Sequence, residues 1–149
     1  YFAEFPGDSS MKWMILPLLR YADFSGRSRR LEYWMFTLFI TIMIFGFIFL
    51  MLALSGQEYQ SEDPLPFAGV SIGLLVLLGI GIFIPSLAVQ VRRLHDQDRS
   101  GWWILLGFIP YIGGLIMLIF MLIPGTKGSN DYGPDPKDPE GADLVEVFR

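Results

Sequence analysis

A short charged run, VRRLHDQDRSGWW from Val91 to Trp103, contains the side chains best suited to chemistry in this chain. His95 and Asp96 are adjacent, and these residue types form acid–base pairs and metal sites. Arg92 and Arg93 precede them, and an arginine fork grips a phosphate through two N–H groups at once. The segment, which we call the hinge, therefore offers candidates for a catalytic, a metal-binding or a phosphate-binding site.

The residue types around the hinge argue against catalysis and metal binding. The whole chain has one histidine and no cysteine, which leaves too few soft ligands for a zinc site. Neighbouring residues on a turn also rarely face one another, so His95 and Asp96 make a poor acid–base pair. We predict no catalytic residue, no metal and no cofactor. Instead, Asp96 or Asp98 is expected to pair with an arginine nearer the N-terminus and so to fix the hinge. The residues predicted to structure the hinge are Glu32, His95, Asp96 and Trp102.

The arginines form two groups, one before the first apolar run and one in the hinge. The simpler interpretation is topological anchoring with non-specific attraction to anionic phospholipids. The sharper one is a defined pocket for a phosphate or a lipid headgroup. In both cases we expect contacts with lipid headgroups or with a partner protein. The residues predicted to make them are Arg27, Arg30, Arg92, Arg93 and Arg99.

The elements that position these residues are apolar and helical. Hydrophobic residues make up 52% of the chain and charged residues only 17%, outside the usual balance of a soluble domain. Three blocks have no polar face, which is typical of helices exposed to lipid. We predict an all-α polytopic membrane protein with three transmembrane helices and a short interfacial amphipathic helix before them. The interfacial helix covers residues 11–22, and the spans cover about 33–54, 69–91 and 102–123.

The third apolar run has two interpretations. Pro110, Gly113 and Gly114 interrupt it, so it either crosses the membrane with a kink or turns back as a re-entrant hairpin. The sequence favours one span, because neither half exceeds about ten residues and a turn inside lipid leaves backbone groups without partners. Residues 1–10 are predicted to be a disordered extension, and residues 126–149 a polar acidic tail with six carboxylates and three basic residues.

The distribution of basic residues predicts the topology. Eight lysines and arginines lie before the first span or in the hinge, and none lies between the first two spans. The positive-inside rule then places the N-terminus and the hinge in the cytoplasm. With three spans, the C-terminus lies in the periplasm or otherwise outside. Glu32 follows Arg29 by three positions, so we expect these two residues to pair on one helix face.

Three motifs in order, YADFSGRSRRLEYW, VRRLHDQDRSGWW and PGTKGSNDYGPDP, resemble domain-of-unknown-function family 805, the YhaH-like small bacterial inner-membrane proteins. The resemblance covers about residues 11–136. It implies a multi-pass protein of the bacterial plasma membrane. The family has no established biochemical activity, so the resemblance carries over no catalytic residue.

Taken together, the sequence predicts a non-enzymatic accessory or structural component of the inner membrane. Its predicted partners are the lipid bilayer with its anionic phospholipids, further copies of itself, or a larger membrane complex, and no nucleic acid. The alternative is a subunit of a small oligomeric channel or transport system. No Asp, Glu, His, Lys or Arg lies within any predicted span, which argues against a proton relay.

Overall fold

A computed structural model describes residues 10–58 and 65–138, and every regular element in these ranges is helical. The all-α prediction is confirmed for this part of the chain. The elements, in order, are α1 (Ser10–Leu19), α2 (Arg30–Glu58), α3 (Leu65–His95), a 3₁₀ helix (Gly101–Phe108) and α4 (Gly113–Leu122). The predicted extension at residues 1–10 falls almost entirely outside the described residues, as do residues 139–149 of the predicted tail.

Two helices are long and apolar enough to cross a membrane. They contain the stretches Arg30–Ser55 and Gly69–His95, each longer than the roughly 20 residues that a hydrocarbon core requires. Both helices extend beyond the predicted bounds of 33–54 and 69–91. Arg92 and Arg93 therefore belong to the last turns of α3 instead of starting the turn that follows it.

The prediction of a single third span is wrong. The 3₁₀ helix and α4 are joined by a tight turn, and α4 has 10 residues, so it is only about 15 Å long. Pro110 cannot donate the N–H that a continuous helix would need. The turn supplies its own backbone partners instead, because the N–H of Ile112 donates to the Pro110 carbonyl at 2.8 Å and the N–H of Gly113 to the Ile109 carbonyl at 2.8 Å. Residues 101–122 therefore form a hairpin, which we call the C-terminal hairpin.

The C-terminal hairpin packs against the ends of both long helices. Met117 and Met121 of α4 are buried against Leu94 of α3. Other apolar residues surround this cluster from α2, the 3₁₀ helix and α4: Tyr33, Trp34, Ile104 and Phe120. On another part of the molecule α1 packs mainly against α2, with Pro17 buried. A helix is thus present over most of the predicted range 11–22, although it ends at Leu19. Its amphipathic character and its place at a membrane interface stay predictions.

The chain returns to the hinge after the hairpin. Arg93 donates a hydrogen bond to the carbonyl of Ile123, directly after α4. The N–H of Thr126 donates to the carbonyl of Asp96 at 2.8 Å. The hairpin therefore starts and ends at the same level of α3. This contradicts the part of the predicted topology that carried the tail away from the hinge, at least as far as residue 138.

The return of the chain to the hinge predicts that the segments before and after the C-terminal hairpin lie on the same side of the membrane. Single cysteines replacing Ser100 and Lys127, in a chain that has no cysteine of its own, should react with a membrane-impermeant maleimide from the same side of sealed vesicles. A cysteine replacing Ser55, at the far end of α2, serves as the control and should react only from the opposite side. Reaction of the Ser100 and Lys127 positions from opposite sides would restore the single span.

Candidate functional site

Five ionisable side chains are buried together at one end of the two long helices. Arg92 and Arg93 are fully buried, and Arg27, Glu32 and Asp96 are at most 7% exposed. They come from the loop before α2, the first turn of α2, the last turns of α3 and the turn after it. We call these five residues the arginine knot. Three positive and two negative charges in one buried cluster are stable only if each is paired or hydrogen-bonded.

Arg92 joins three segments of the chain. One terminal nitrogen donates to Glu32 Oε1 at 3.0 Å, which ties α3 to the start of α2. The other donates to the carbonyls of Asp23, at 2.5 Å, and Arg20, at 3.4 Å, both in the segment after α1. The predicted pairing of Glu32 with Arg29 is therefore wrong. Arg29 lies just before α2 and donates to the Pro136 carbonyl instead, so the buried Arg92 guanidinium is the partner of this buried carboxylate.

Asp96 is held between two arginines. Its Oδ1 accepts from Arg27 Nε at 3.0 Å, and its Oδ2 accepts from Arg93. The pairing of Asp96 with an arginine of the N-terminal group is thus confirmed. Arg93 also donates to the carbonyl of Ile123, so the same carboxylate links the loop before α2, the end of α3 and the exit of the hairpin.

Arg27 fastens the segment after the hairpin, residues 124–136, which we call the strap. Its terminal nitrogens donate to the carbonyls of Thr126 at 2.5 Å, Gly128 at 2.6 Å and Gly133 at 3.3 Å. The amide of Asn130 donates to the carbonyl of His95 at 2.9 Å, which fixes the same segment to the end of α3. Peptide carbonyls from the strap therefore provide most of the neutral acceptors around Arg27.

His95 does not form an acid–base pair with Asp96. Its ring stacks on Tyr132 of the strap, with ring centroids 3.9 Å apart and planes 7° apart. Its Nδ1 lies 3.2 Å from the Gly26 carbonyl, which fits a donated hydrogen bond. Among the residues that the structure describes, no group of three or more His, Asp or Glu side chains is arranged to hold a metal ion. In this structure His95 has a packing role.

The other predicted site residues lie outside the knot. Trp102 is 78% exposed, so its side chain does not structure the hinge. Arg30 is exposed, and it donates to the carbonyl of Leu122 at 3.3 Å. The Arg99 guanidinium is partly exposed and lies 4.8 Å from the centroid of the Phe120 ring. Of the five arginines expected to touch headgroups, only Arg30 and Arg99 are accessible, because Arg27, Arg92 and Arg93 are buried within the protein.

Two residues of the site gave no clear signal in the sequence. Burial raises the pKa of the Asp23 carboxyl, but hydrogen bonds from Ser25 and Arg20 outweigh burial and lower the pKa to about 2. The stability that this carboxylate adds is present above its ordinary pKa of 3.8 and is lost as the pH falls through about 2.

Gly125 touches the Asp96 carboxylate so closely that any Cβ at this position would collide with it.

The fold and the knot together define a class of protein: a small helical membrane protein whose segments are fastened to one another at one end of two long apolar helices. The chain belongs to the DUF805 family, described as "Protein of unknown function (DUF805)", whose sequence model matches residues 21–134. The resemblance carried by the three motifs is therefore confirmed.

Named relatives agree with this assignment. The chain is 47% identical over 127 residues to "Inner membrane protein YhaI" of Escherichia coli (strain K12), which covers 85% of this chain and 97% of that protein. It is 46% identical over 127 residues to "Inner membrane protein YhaH" of the same strain, covering 85% and 98%. "Uncharacterized protein YiiR", also of that strain, is 29% identical over 141 residues, covering 78% and 87%. No solved structure matches the chain.

The pair of Arg92 and Glu32 makes a prediction about stability. Glu32→Leu leaves Arg92 buried without its carboxylate, so it should lower the free energy of unfolding by about 3 to 5 kcal/mol. Adding Arg92→Met should recover part of that loss, because the double variant leaves no unpaired charge. Thermal unfolding in detergent measures both variants. Lys127→Met, which removes an exposed basic residue of the strap, is the control and should change stability by at most about 0.5 kcal/mol. Additive losses in the double variant would contradict the pairing.

Gly125 provides a second prediction. Gly125→Ala should displace the Asp96 carboxylate from Arg27 and Arg93, and should lower the unfolding temperature in detergent by several degrees. Gly114→Ala is the matched control, since a Cβ at that helical position of α4 meets no other atom and alanine favours a helix. Equal unfolding temperatures for the two variants would show that the contact between Gly125 and Asp96 is unimportant.

Proposed function

We propose that this protein is an accessory or structural component of the bacterial inner membrane and not an enzyme. The names of YhaI and YhaH support the location, and the two long apolar helices support insertion. The observation that carries the proposal is the arginine knot. Its ionised groups are engaged by one another and by backbone carbonyls, so the charged motifs act to hold segments together and not to act on a substrate.

The knot lies on the cytoplasmic side in this proposal. Basic residues cluster around the knot. By contrast, residues 55–68, which include the end of α2 and the start of α3, contain Glu58, Glu62 and Asp63 and no lysine or arginine. Because the strap is fastened to the knot, the C-terminal region is cytoplasmic as well. Two spans and a hairpin that enters from the cytoplasm replace the three-span topology.

The accessible surface supports a role in contact with lipid or protein. Arg30 and Arg99 form an arginine rim at the knot end that can reach headgroups or a partner. Farther along the long helices, large apolar side chains are open: Phe45, Phe49, Val70 and Leu77 are each at least 62% exposed. Acyl chains or the helices of a membrane partner would cover them.

Reporter fusions test the topology directly. Green fluorescent protein fused after Arg149 should fluoresce, because it folds in the cytoplasm, and alkaline phosphatase at the same position should stay inactive. Alkaline phosphatase fused after Ser55, at the far end of α2, is the positive control and should be active. Active phosphatase at Arg149 would contradict the proposed orientation.

Purification in a mild detergent tests the accessory role. We expect the protein to copurify with a defined membrane partner or as a defined oligomer. The channel alternative predicts ion flux across liposomes that contain the purified protein alone, and the accessory role predicts none. A monomer that copurifies with no protein, or a measurable flux, would overturn the proposal.

A further inference from the structure

A groove runs between α2 and α3, and every residue that lines it belongs to these two helices. Its two parts meet at Ser86, and they have volumes of about 210 Å³ and about 280 Å³. The part nearer the knot is lined mainly by side chains that carry hydroxyl or amide groups. The part farther along the helices is lined almost entirely by apolar groups and by Gly79. The groove therefore becomes more apolar with distance from the knot.

The polar part offers hydrogen-bond donors inside an otherwise apolar region. Thr37 donates back to its own helix at the carbonyl of Tyr33, at 2.8 Å. Gln90 likewise donates one bond to the Ser86 carbonyl, at 3.1 Å, and its amide has a second N–H. With the hydroxyl of Ser86, this N–H can serve a ligand that brings acceptors. A ligand for this part therefore needs oxygen acceptors at one end.

The helical register of α2 places a positive charge one turn beyond the end of the groove that is nearer the knot. On α2 the groove is lined by Tyr33, Thr37 and Ile44, which repeat at intervals that keep them on one helical face. Arg30 precedes Tyr33 by three positions, so it lies one turn below on that face. Arg30 is exposed, and among residues 10–58 and 65–138 its one hydrogen-bond acceptor is the Leu122 carbonyl, at 3.3 Å, so several of its N–H groups face no acceptor there.

We infer that this groove binds one phospholipid of the leaflet on the knot side. Its phosphate lies at Arg30, its ester carbonyls lie at Ser86 and Gln90, and an acyl chain follows the apolar part past Gly79. The order of charge, acceptor and hydrocarbon in such a lipid matches the order of the residues from the knot outward. The inference deepens the proposed contact with lipid headgroups and rests on the membrane location in the proposed function.

A second copy of the chain fits the groove less well. A copy inserted in the same orientation would bring its own Arg30 to the same depth, and like charges at an interface oppose association. Its apolar helix face would also leave the second N–H of Gln90 without an acceptor, which is costly away from water. An anionic phospholipid supplies both the negative charge and the acceptors.

Native mass spectrometry tests the inference on the full chain in a mild detergent with added phosphatidylglycerol and phosphatidylethanolamine. We expect one retained phospholipid per chain, with phosphatidylglycerol preferred. Gly79→Leu places a side chain in the groove and should abolish retention. Gly81→Leu is the matched control, because Gly81 lies outside the groove on the same helix and a Cβ at either glycine meets no other atom. This control should retain the lipid.

Two further variants sharpen the test. Ser86→Leu narrows the junction of the two parts and should also abolish retention, which guards against a folding defect peculiar to Gly79→Leu. Arg30→Gln should keep a lipid but reduce the preference for phosphatidylglycerol by about tenfold, the loss expected for one charge-assisted hydrogen bond.

Three results would overturn the inference. They are equal retention in the Gly79→Leu and Gly81→Leu variants, no retained lipid in the wild type, and a lipid-free dimer that Gly79→Leu converts to monomer. The last result would assign the groove to a second copy. The reporter fusions decide the proposed orientation independently, so failure of lipid binding and failure of the proposed function are distinguishable.

Discussion

Burying ionised side chains at the edge of a hydrocarbon layer is the constraint on which the rest of this structure depends. An unpaired buried charge costs several kcal/mol, so each guanidinium of the knot needs a carboxylate or carbonyl acceptors within reach. The two carboxylates cannot satisfy three arginines. Backbone carbonyls after α1, at the end of α4 and in the strap supply further acceptors, and of the buried guanidinium nitrogens Arg92 Nε and Arg93 Nε are left without one in the described residues. The path of the chain around the knot follows from this requirement.

The same requirement explains what the sequence could predict and what it could not. The apolar runs alone identify α2 and α3, because uninterrupted hydrophobic composition over that length has few other uses. The pairing of Asp96 with an N-terminal arginine was also predictable, since both are charged and both lie beside the membrane. The burial of Arg27, Arg92 and Arg93 was not, because their main acceptors are carbonyls, which every residue has and no sequence pattern marks.

The C-terminal hairpin shows a different limit. Pro110 and the glycines after it fit a kink as well as a turn, and local composition cannot separate the two. The turn is favoured over the kink by contacts between residues distant in sequence, because Arg93 and Asp96 bind the segment that follows α4. Packing also favours the turn, because Met117 and Met121 of α4 reach Leu94 only when the chain doubles back. Long-range partners therefore decide between two locally equivalent structures.

The hydrogen bonds of Arg27 connect residues that are far apart in the sequence, so they can form only late in translation. Its acceptors at Gly128 and Gly133 lie 101 and 106 positions later in the chain. A ribosome releases the N-terminal part first, so Arg27 can bind these carbonyls only after residue 133 has been translated. The two long helices are complete well before that moment. Closure of the strap over Arg27 therefore follows the synthesis of both long helices and of the C-terminal hairpin.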